Sequence, residues 1–332
     1  MPDQQRLLDI IDRFSSTSVA LIGDLVLDRF ILGTPKRISR EAPVIILRHE
    51  GQRDVPGGAA NALANMASLG LRVTALGALG DDEPGEALRA ALAKSGVNTD
   101  ELIVVPDYRT PTKVRILGGG ASSLKHQVAR YDIEDELPGD GDWTKSLADR
   151  LPALGTCSAV AISDYVYGCV EPGIVPAIRR TIGHDAWITL DSRYRIGGFV
   201  GIDGATPNLE ELEAAVGRRL RGDHEVAAAA SELCSTLDAR FLLATRGNHG
   251  MTLAGDKDGV AHMPVFGSDE VADVTGAGDT VLAVLTASLA SGATALEGAR
   301  LANIAAGLVV MKLGTATVTA DELRSAIAGN RS

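Results

Sequence analysis

The chain is poor in cysteine, in aromatic residues and in positive charge, and it lacks an apolar run long enough to cross a membrane. Its three cysteines, Cys157, Cys169 and Cys234, cannot form a disulfide framework for 332 residues, and none falls in a C-x-x-C pair. Reduced thiols and a cytoplasmic location are expected. The apolar stretches near 281–290 and 301–311 fall short of the ~18–20 residues that a span requires. Residues 1–14 carry acidic side chains and read as an amphipathic helix, not as a signal peptide. With two Trp, five Tyr and five Phe against a net charge of −11, the chain has neither stacking platforms nor a global basic field. A nucleic-acid partner is therefore excluded, whereas a local basic pocket for a small anion is not. The six histidines show no H-x-x-x-H or Cys/His grouping, which argues against a zinc site. Asn330-Arg-Ser332 fits a glycosylation sequon, which carries no meaning in a cytoplasmic chain.

What the chain has in excess is glycine, 37 residues, together with Ala-rich helical stretches. Strand-like runs at 18–23, 73–77, 158–162, 187–190 and 241–245 alternate with helical patterns at 59–69, 86–94, 172–182, 209–216 and 224–237. That alternation predicts βαβ units, hence an α/β fold with a mostly parallel sheet covered by helices on both faces. Three β-rich stretches, 42–50, 101–105 and 112–117, lack intervening helices and predict a small antiparallel subsheet. Gly118-Gly-Gly-Ala-Ser-Ser123 reads as a loop within it. With no linker, repeat or low-complexity tail, residues 1–332 are expected to form a single domain, with lid segments at about 29–50 and 101–131.

Three clusters carry chemistry. Asp273-Val-Thr-Gly-Ala-Gly-Asp279 precedes the helical run 280–290. A glycine-rich turn at a helix N-terminus presents unpartnered N–H groups and positive potential, which suits a phosphate; Asp279 is placed to take a proton from an attacking hydroxyl. The same heptapeptide also fits an ordinary helix cap. It matches neither G-x-G-x-x-G, whose third position is Val281 here, nor the phosphate loop G-x-x-x-x-G-K-[ST]. Pro56-Gly-Gly-Ala-Ala-Asn61 offers close backbone approach at Gly57 and Gly58 and a donor–acceptor amide at Asn61, or is simply a tight loop. Asp24 and Asp28, after the first strand, lie where α/β sheets bind ligands and are suited to sugar hydroxyls, although such residues also form turns.

In this order and spacing the three clusters resemble the ribokinase (PfkB) family of sugar kinases, from about residue 18 to 325. The resemblance implies a ribokinase-like fold with a β-sheet lid, and ATP-dependent phosphorylation of a sugar or sugar phosphate. It implies that Asp279 is the base and that the N–H groups of Gly276, Ala277 and Gly278 form the anion hole. By the same likeness Asn208, Thr245, Arg246, Gly247 and Asn303 meet the nucleotide, and Glu211 assists Mg²⁺ indirectly. Asp273, Thr275 and Gly314 are the residues for a monovalent cation such as K⁺. Gly23-Asp-Leu-Val-Leu-Asp-Arg29, Arg37-Ile-Ser-Arg-Glu-Ala-Pro-Val44, Asn65-Met-Ala-Ser-Leu-Gly70 and Lys312-Leu-Gly-Thr-Ala-Thr-Val318 are similar to the D-glycero-β-D-manno-heptose 7-phosphate kinase branch. In that branch the anomeric hydroxyl is phosphorylated, often by a protein fused to a C-terminal nucleotidyltransferase. The chain ends at 332, after the kinase region, so the second activity is expected to be absent or separate. Asp191-Ser-Arg193 stands where the branch usually has Asp-Pro-Lys.

A phosphorylated acceptor requires cations away from the reacting hydroxyl. The candidates are Arg37, Arg40, Lys113, Arg115 and Arg193, with Lys113 and Arg193 first because the resemblance places their segments near the acceptor. A lid face with an apolar side predicts a homodimer through the lid. Other sugar, fructose phosphate or nucleoside kinases of the same family, and a non-catalytic sugar- or nucleotide-binding regulator, are the alternatives. Retention of Asp279 with its glycine turn speaks against the regulator.

Overall fold

The structure is a computed structural model that describes residues 4–120, 125–139, 141–255, 259–267, 273–312 and 314–329. The start of the expected N-terminal helix, residues 121–123 of the glycine loop, Leu313 and the sequon lie outside the described residues.

The strand Ser18–Gly23 explains the architecture on a small scale. Val19 and Leu21 enter one apolar cluster, Ala20 and Ile22 the other, and all four are fully buried. A strand whose alternating side chains are all apolar needs cover on both faces, which a parallel sheet flanked by helices supplies. The sheet runs Ala261–Met263, Met251–Gly255, Phe241–Thr245, Gly204–Ala205, Trp187–Ser192, Ala159–Asp164, Ser18–Gly23, Arg72–Gly80, Val97–Asn98. Pairing is parallel from Phe241–Thr245 onward, whereas Met251–Gly255 is antiparallel to both of its neighbours, Phe241–Thr245 and Ala261–Met263.

One face is covered by Gln4–Asp12, Ala59–Ser68, Glu83–Lys94, Ala277–Ala290, Ala295–Val309 and Ala320–Gly329. The other is covered by Asp142–Arg150, Ile174–Ile182, Leu209–Val216 and Gly222–Thr236. Small residues set the helix spacing. A Cβ on Gly298 would come within 3.0 Å of Leu285 Cδ1, so Ala277–Ala290 and Ala295–Val309 pack tightly there. Thr294 and Glu297 close the start of the second helix with a reciprocal capping box, a stabilisation of about 1 kcal/mol. Among the described residues, no helix is long and apolar enough to cross a membrane.

The second sheet has the order Ile45–Gly58, Leu25–Ile38, Thr112–Gly118, His126–Ile133. Its central pair is parallel and its outer pairs antiparallel, so the subsheet is mixed where a purely antiparallel one was expected. The expected lid bounds also shift. Its strands are Leu25–Ile38, Ile45–Gly58, Thr112–Gly118 and His126–Ile133, and the stretch at 101–105 belongs to the main sheet. Leu102–Val105 runs parallel to Gly77–Gly80, with Leu102 in one core cluster and Ile103 in the other. Two adjacent buried apolar residues on opposite faces need cover on both sides, which an open lid does not provide.

Candidate active site

The site lies where the carboxyl ends of the main strands meet the lid. Gly276 adopts φ +79° and starts the helix Ala277–Ala290, which places Asp279 in the first turn, 4% exposed. A Cβ on Gly276 would sit 2.4 Å from Asn61 Nδ2, so only glycine fits both the turn and the approach of Asn61. Asn61 Nδ2 donates to Asp279 Oδ2 at 2.9 Å, and the Tyr165 hydroxyl donates to Oδ1 at 2.7 Å. Burial pushes Asp279 up to about 6, against the two hydrogen bonds, which favour the ionised form. That value suits a base working near neutral pH. The three-member anion hole is corrected in one respect. The Ala277 N–H donates to the Val274 carbonyl at 3.2 Å, while those of Gly276 and Gly278 have no partner among the described residues.

Two cavities meet at this turn. A polar one of about 390 Å³ is lined by Asp28, Gly58, Lys113, Arg115, Arg193, Asn208, Glu211, Thr275, Gly276, Gly278 and Asp279, all expected from the sequence. It also contains Arg130, Tyr165, Asp191, Thr206 and Thr315. Arg115 is ion-paired with the buried Asp28, whose carboxylate packs so close to Gly57 that a Cβ there would lie 2.6 Å from Oδ2. Lys113 and Arg193 differ from Arg115: neither has a hydrogen bond or ion pair from its side chain among the described residues. They lie 5.1 and 4.8 Å from the Tyr165 ring centroid. Burial, with Arg193 adding to it, pushes the Lys113 ammonium below its ordinary value. The Thr315 hydroxyl is buried in the lining without a partner among the described residues.

The second cavity, about 660 Å³, is mostly apolar, with Met251, Val265, Phe266, Val281, Ala306 and Val310 in its walls. Thr245, Gly247 and Asn303 line it as expected, and Thr245, Val274 and Gly278 line both cavities. The Asn303 amide donates to the Pro264 carbonyl at 2.8 Å, which fixes its orientation. A flat apolar ligand in this cleft would therefore direct a phosphate tail past Gly278 into the polar cavity.

Several expected residues do other work. Asp24 faces away from both cavities: its carboxylate accepts from the backbone N–H groups of Tyr165 (2.7 Å), Tyr167 (3.1 Å) and Cys169 (3.0 Å). Three N–H groups saturate it, and it holds the 165–169 loop instead of a sugar hydroxyl. Arg246 also turns away, its guanidinium bound to Asp223 at 2.7 Å and Thr252 at 3.2 Å. Asn61 is buried and spends its amide on the base. Arg37 and Arg40 are exposed at the lid tip.

Asn208 and Glu211 form a reciprocal capping box at 2.9 Å in each direction. Burial, then its neighbours Glu211 and Asp279, push Asp191 well above the usual carboxylate range, and burial raises Glu211. A divalent cation beside these carboxylates would reverse that cost. Asp273 is brought to Thr275 and Gly314, but as an acceptor from their N–H groups at 2.9 and 3.1 Å. Those bonds hold its carboxyl below the usual range although burial opposes them. The carboxylate is thus satisfied by two backbone N–H groups and the Thr275 side chain, and the geometry does not require a monovalent cation. No cluster of three metal-ligating side chains occurs among the described residues.

Tyr165, Arg130 and Asp191 were not among the expected site residues. Tyr165 and Asp191 follow or end the buried strands Ala159–Asp164 and Trp187–Ser192 at their carboxyl ends, the position that pointed to Asp24 and Asp28.

The sequence matches the pfkB family carbohydrate kinase profile over residues 16–129 and 199–322. It is 39% identical to the bifunctional protein HldE of Vibrio parahaemolyticus over 97% of this chain and 66% of that protein. It is 42% identical to that of Halorhodospira halophila, over 95% and 64%. The chain thus spans slightly under two thirds of the length of these relatives. In fold it is similar to Arabidopsis thaliana ribokinase complexed with ribose and ATP (TM-score 0.70, 18% identity, 94% of this chain and 98% of that one). It is likewise similar to Escherichia coli phosphofructokinase-2 in complex with fructose-6-phosphate (TM-score 0.75, 20% identity, 94% and 98%).

Proposed function

The chain belongs to the pfkB family of carbohydrate kinases, and on that premise we propose that it phosphorylates a sugar phosphate with ATP, namely D-glycero-β-D-manno-heptose 7-phosphate at its anomeric hydroxyl. The observation that carries this reading is the pair of unpaired cations, Lys113 and Arg193, in the same polar cavity as Asp279. Lys113 is buried and Arg193 exposed beside it, so a neutral sugar leaves the Lys113 charge uncompensated, whereas a phosphate monoester compensates it and pairs with Arg193 as well. The heptose branch resemblance and the identity to the HldE proteins support the choice of sugar.

In the proposed reaction the anomeric oxygen attacks the γ-phosphorus in line. Its proton passes to Asp279, the bond between the γ-phosphorus and the β–γ bridging oxygen breaks, and ADP leaves. The N–H groups of Gly276 and Gly278 and the helix N-terminus stabilise the charge on the transferring group. Adenine occupies the apolar cleft beside Asn303. Mg²⁺ would be supplied with ATP, and Asp191 and Glu211 would accept hydrogen bonds from its water shell, which suits an ion held mainly by phosphates and water. The lid excludes water, which suppresses ATP hydrolysis.

ADP release should depend on heptose 7-phosphate and exceed that with unphosphorylated heptose or ribose by at least tenfold in kcat/KM. Equal or greater turnover of a neutral sugar contradicts the reading. The lid leaves Ile38, Val44, Ile45, Val128 and Tyr131 48–69% exposed, which supports a homodimer through this sheet. Light scattering at micromolar concentration should give twice the chain mass of 34.5 kDa; a monomer contradicts it.

A further inference from the structure

We propose that Tyr165 is a positioning residue that links anchoring of the acceptor's phosphate to alignment of the base, so that an unphosphorylated sugar is rejected in kcat as well as in KM. The proposal rests on the sugar-phosphate reading above and adds a residue to it.

Tyr165 touches both ends of the site. Its hydroxyl donates to Asp279 Oδ1 at 2.7 Å, and its ring lies against Lys113 Nζ at 5.1 Å and Arg193 Cζ at 4.8 Å. The two cations are drawn to the same ring yet repel one another, and neither side chain has a hydrogen bond or ion pair among the described residues. A phosphate between them removes the repulsion and fixes both against the ring. The ring, held so, keeps its hydroxyl on the base.

The backbone beneath it is unusually constrained. Asp24 grips the N–H groups of Tyr165, Tyr167 and Cys169, and the intervening Val166 has φ +67°, a costly conformation for a β-branched residue. A loop held in that state by a buried carboxylate presents one side chain in one place. Burial, followed by the charge of Asp279, raises the Tyr165 phenol far above its ordinary value, so it remains a donor at any working pH.

The charged groups facing Asp279 are Asp28 from the first lid strand, Lys113 from the third and Asp191 from the main sheet, besides the amide of Asn61. Removing the phenol hydroxyl deletes one donor to the ionised carboxylate, which disfavours that form and raises the pKa. Tyr165→Phe retains the ring and both cation contacts. It should lower kcat for the sugar phosphate about tenfold and move the acid limb of kcat up by about one pH unit, with KM changed less than about threefold. The kcat advantage of the phosphorylated over the unphosphorylated sugar should shrink by the same factor. Tyr165→Leu, which also removes the ring, should raise KM for the sugar phosphate about tenfold. ATP affinity, set in the other cavity, serves as the folding control.

An unchanged acid limb and an unchanged kcat ratio in a Tyr165→Phe protein that binds ATP normally overturn the proposal, and leave the sugar-phosphate reading standing. A wild-type preference for a neutral sugar overturns that reading and the linkage with it.

Discussion

Asp279→Asn lowers kcat by about three orders of magnitude while leaving ATP affinity within about twofold. The expected size is that of a general base whose proton transfer is removed, in the middle of the usual ~10²–10⁴ range. The two side chains are nearly equal in volume, so the site does not collapse. The amide cannot take a proton from the acceptor hydroxyl, and its NH₂ group must face either the Asn61 amide or the Tyr165 hydroxyl, both donors in the parent protein. ATP affinity is spared because Asp279 does not line the apolar cleft. The same reasoning fixes a pH dependence. Burial holds the carboxyl at about 6, and only the ionised form accepts a proton. Activity therefore falls as pH drops through about 6, and kcat/KM, which follows the free enzyme, reaches half its plateau near there. Calorimetric titration with ATP and a kcat/KM–pH series on the parent protein check the two halves; normal turnover by Asp279→Asn contradicts the assignment.

Arg193→Ala lowers kcat/KM for heptose 7-phosphate about 10- to 100-fold and changes that for unphosphorylated heptose less than about threefold. A charge-assisted hydrogen bond to phosphate contributes ~1.5–3 kcal/mol, which corresponds to that range. Arg193 is exposed and makes no side-chain ion pair among the described residues, so its removal leaves the fold in place; its charge also favours ionised Asp191 and Glu211, an effect common to both acceptors. Arg193→Lys should restore part of the effect, since lysine supplies the charge without the planar fork. A comparison of both acceptors on the same preparations decides the matter. Equal losses on the two sugars eliminate the phosphate-anchoring role.

The alternation of short apolar strands with helical patterns was enough to read the main sheet, because each central strand is buried on both faces and bounded by glycine or turn residues. The edge hairpin Met251–Gly255 with Ala261–Met263 and the strand His126–Ile133 were not legible. The first two are short, and all eight residues of the last are exposed or half-exposed, so no burial pattern marks it. Leu102–Val105 was assigned to the lid because no helix separates it from the lid strands, a spacing that says nothing about which sheet edge is open. At the site, Asp279 and the turn at Gly276 were legible since a helix start and its glycines are local features. Asp24 and Asp28 were indistinguishable in sequence, both being carboxylates near one strand end. Only the partners separate them: three backbone N–H groups for Asp24, Arg115 and the cavity for Asp28. The role of Tyr165 depends on groups from three distant segments, Asp279, Lys113 and Arg193, and no local pattern encodes such a meeting.

The most direct measurement is phosphorus NMR of the product formed from ATP and D-glycero-β-D-manno-heptose 7-phosphate. The mechanism requires a new phosphate at the anomeric carbon, coupled to its proton, with the 7-phosphate retained and one ADP per sugar. ADP without a new sugar phosphate, or a phosphate on a carbon other than the anomeric one, contradicts the account.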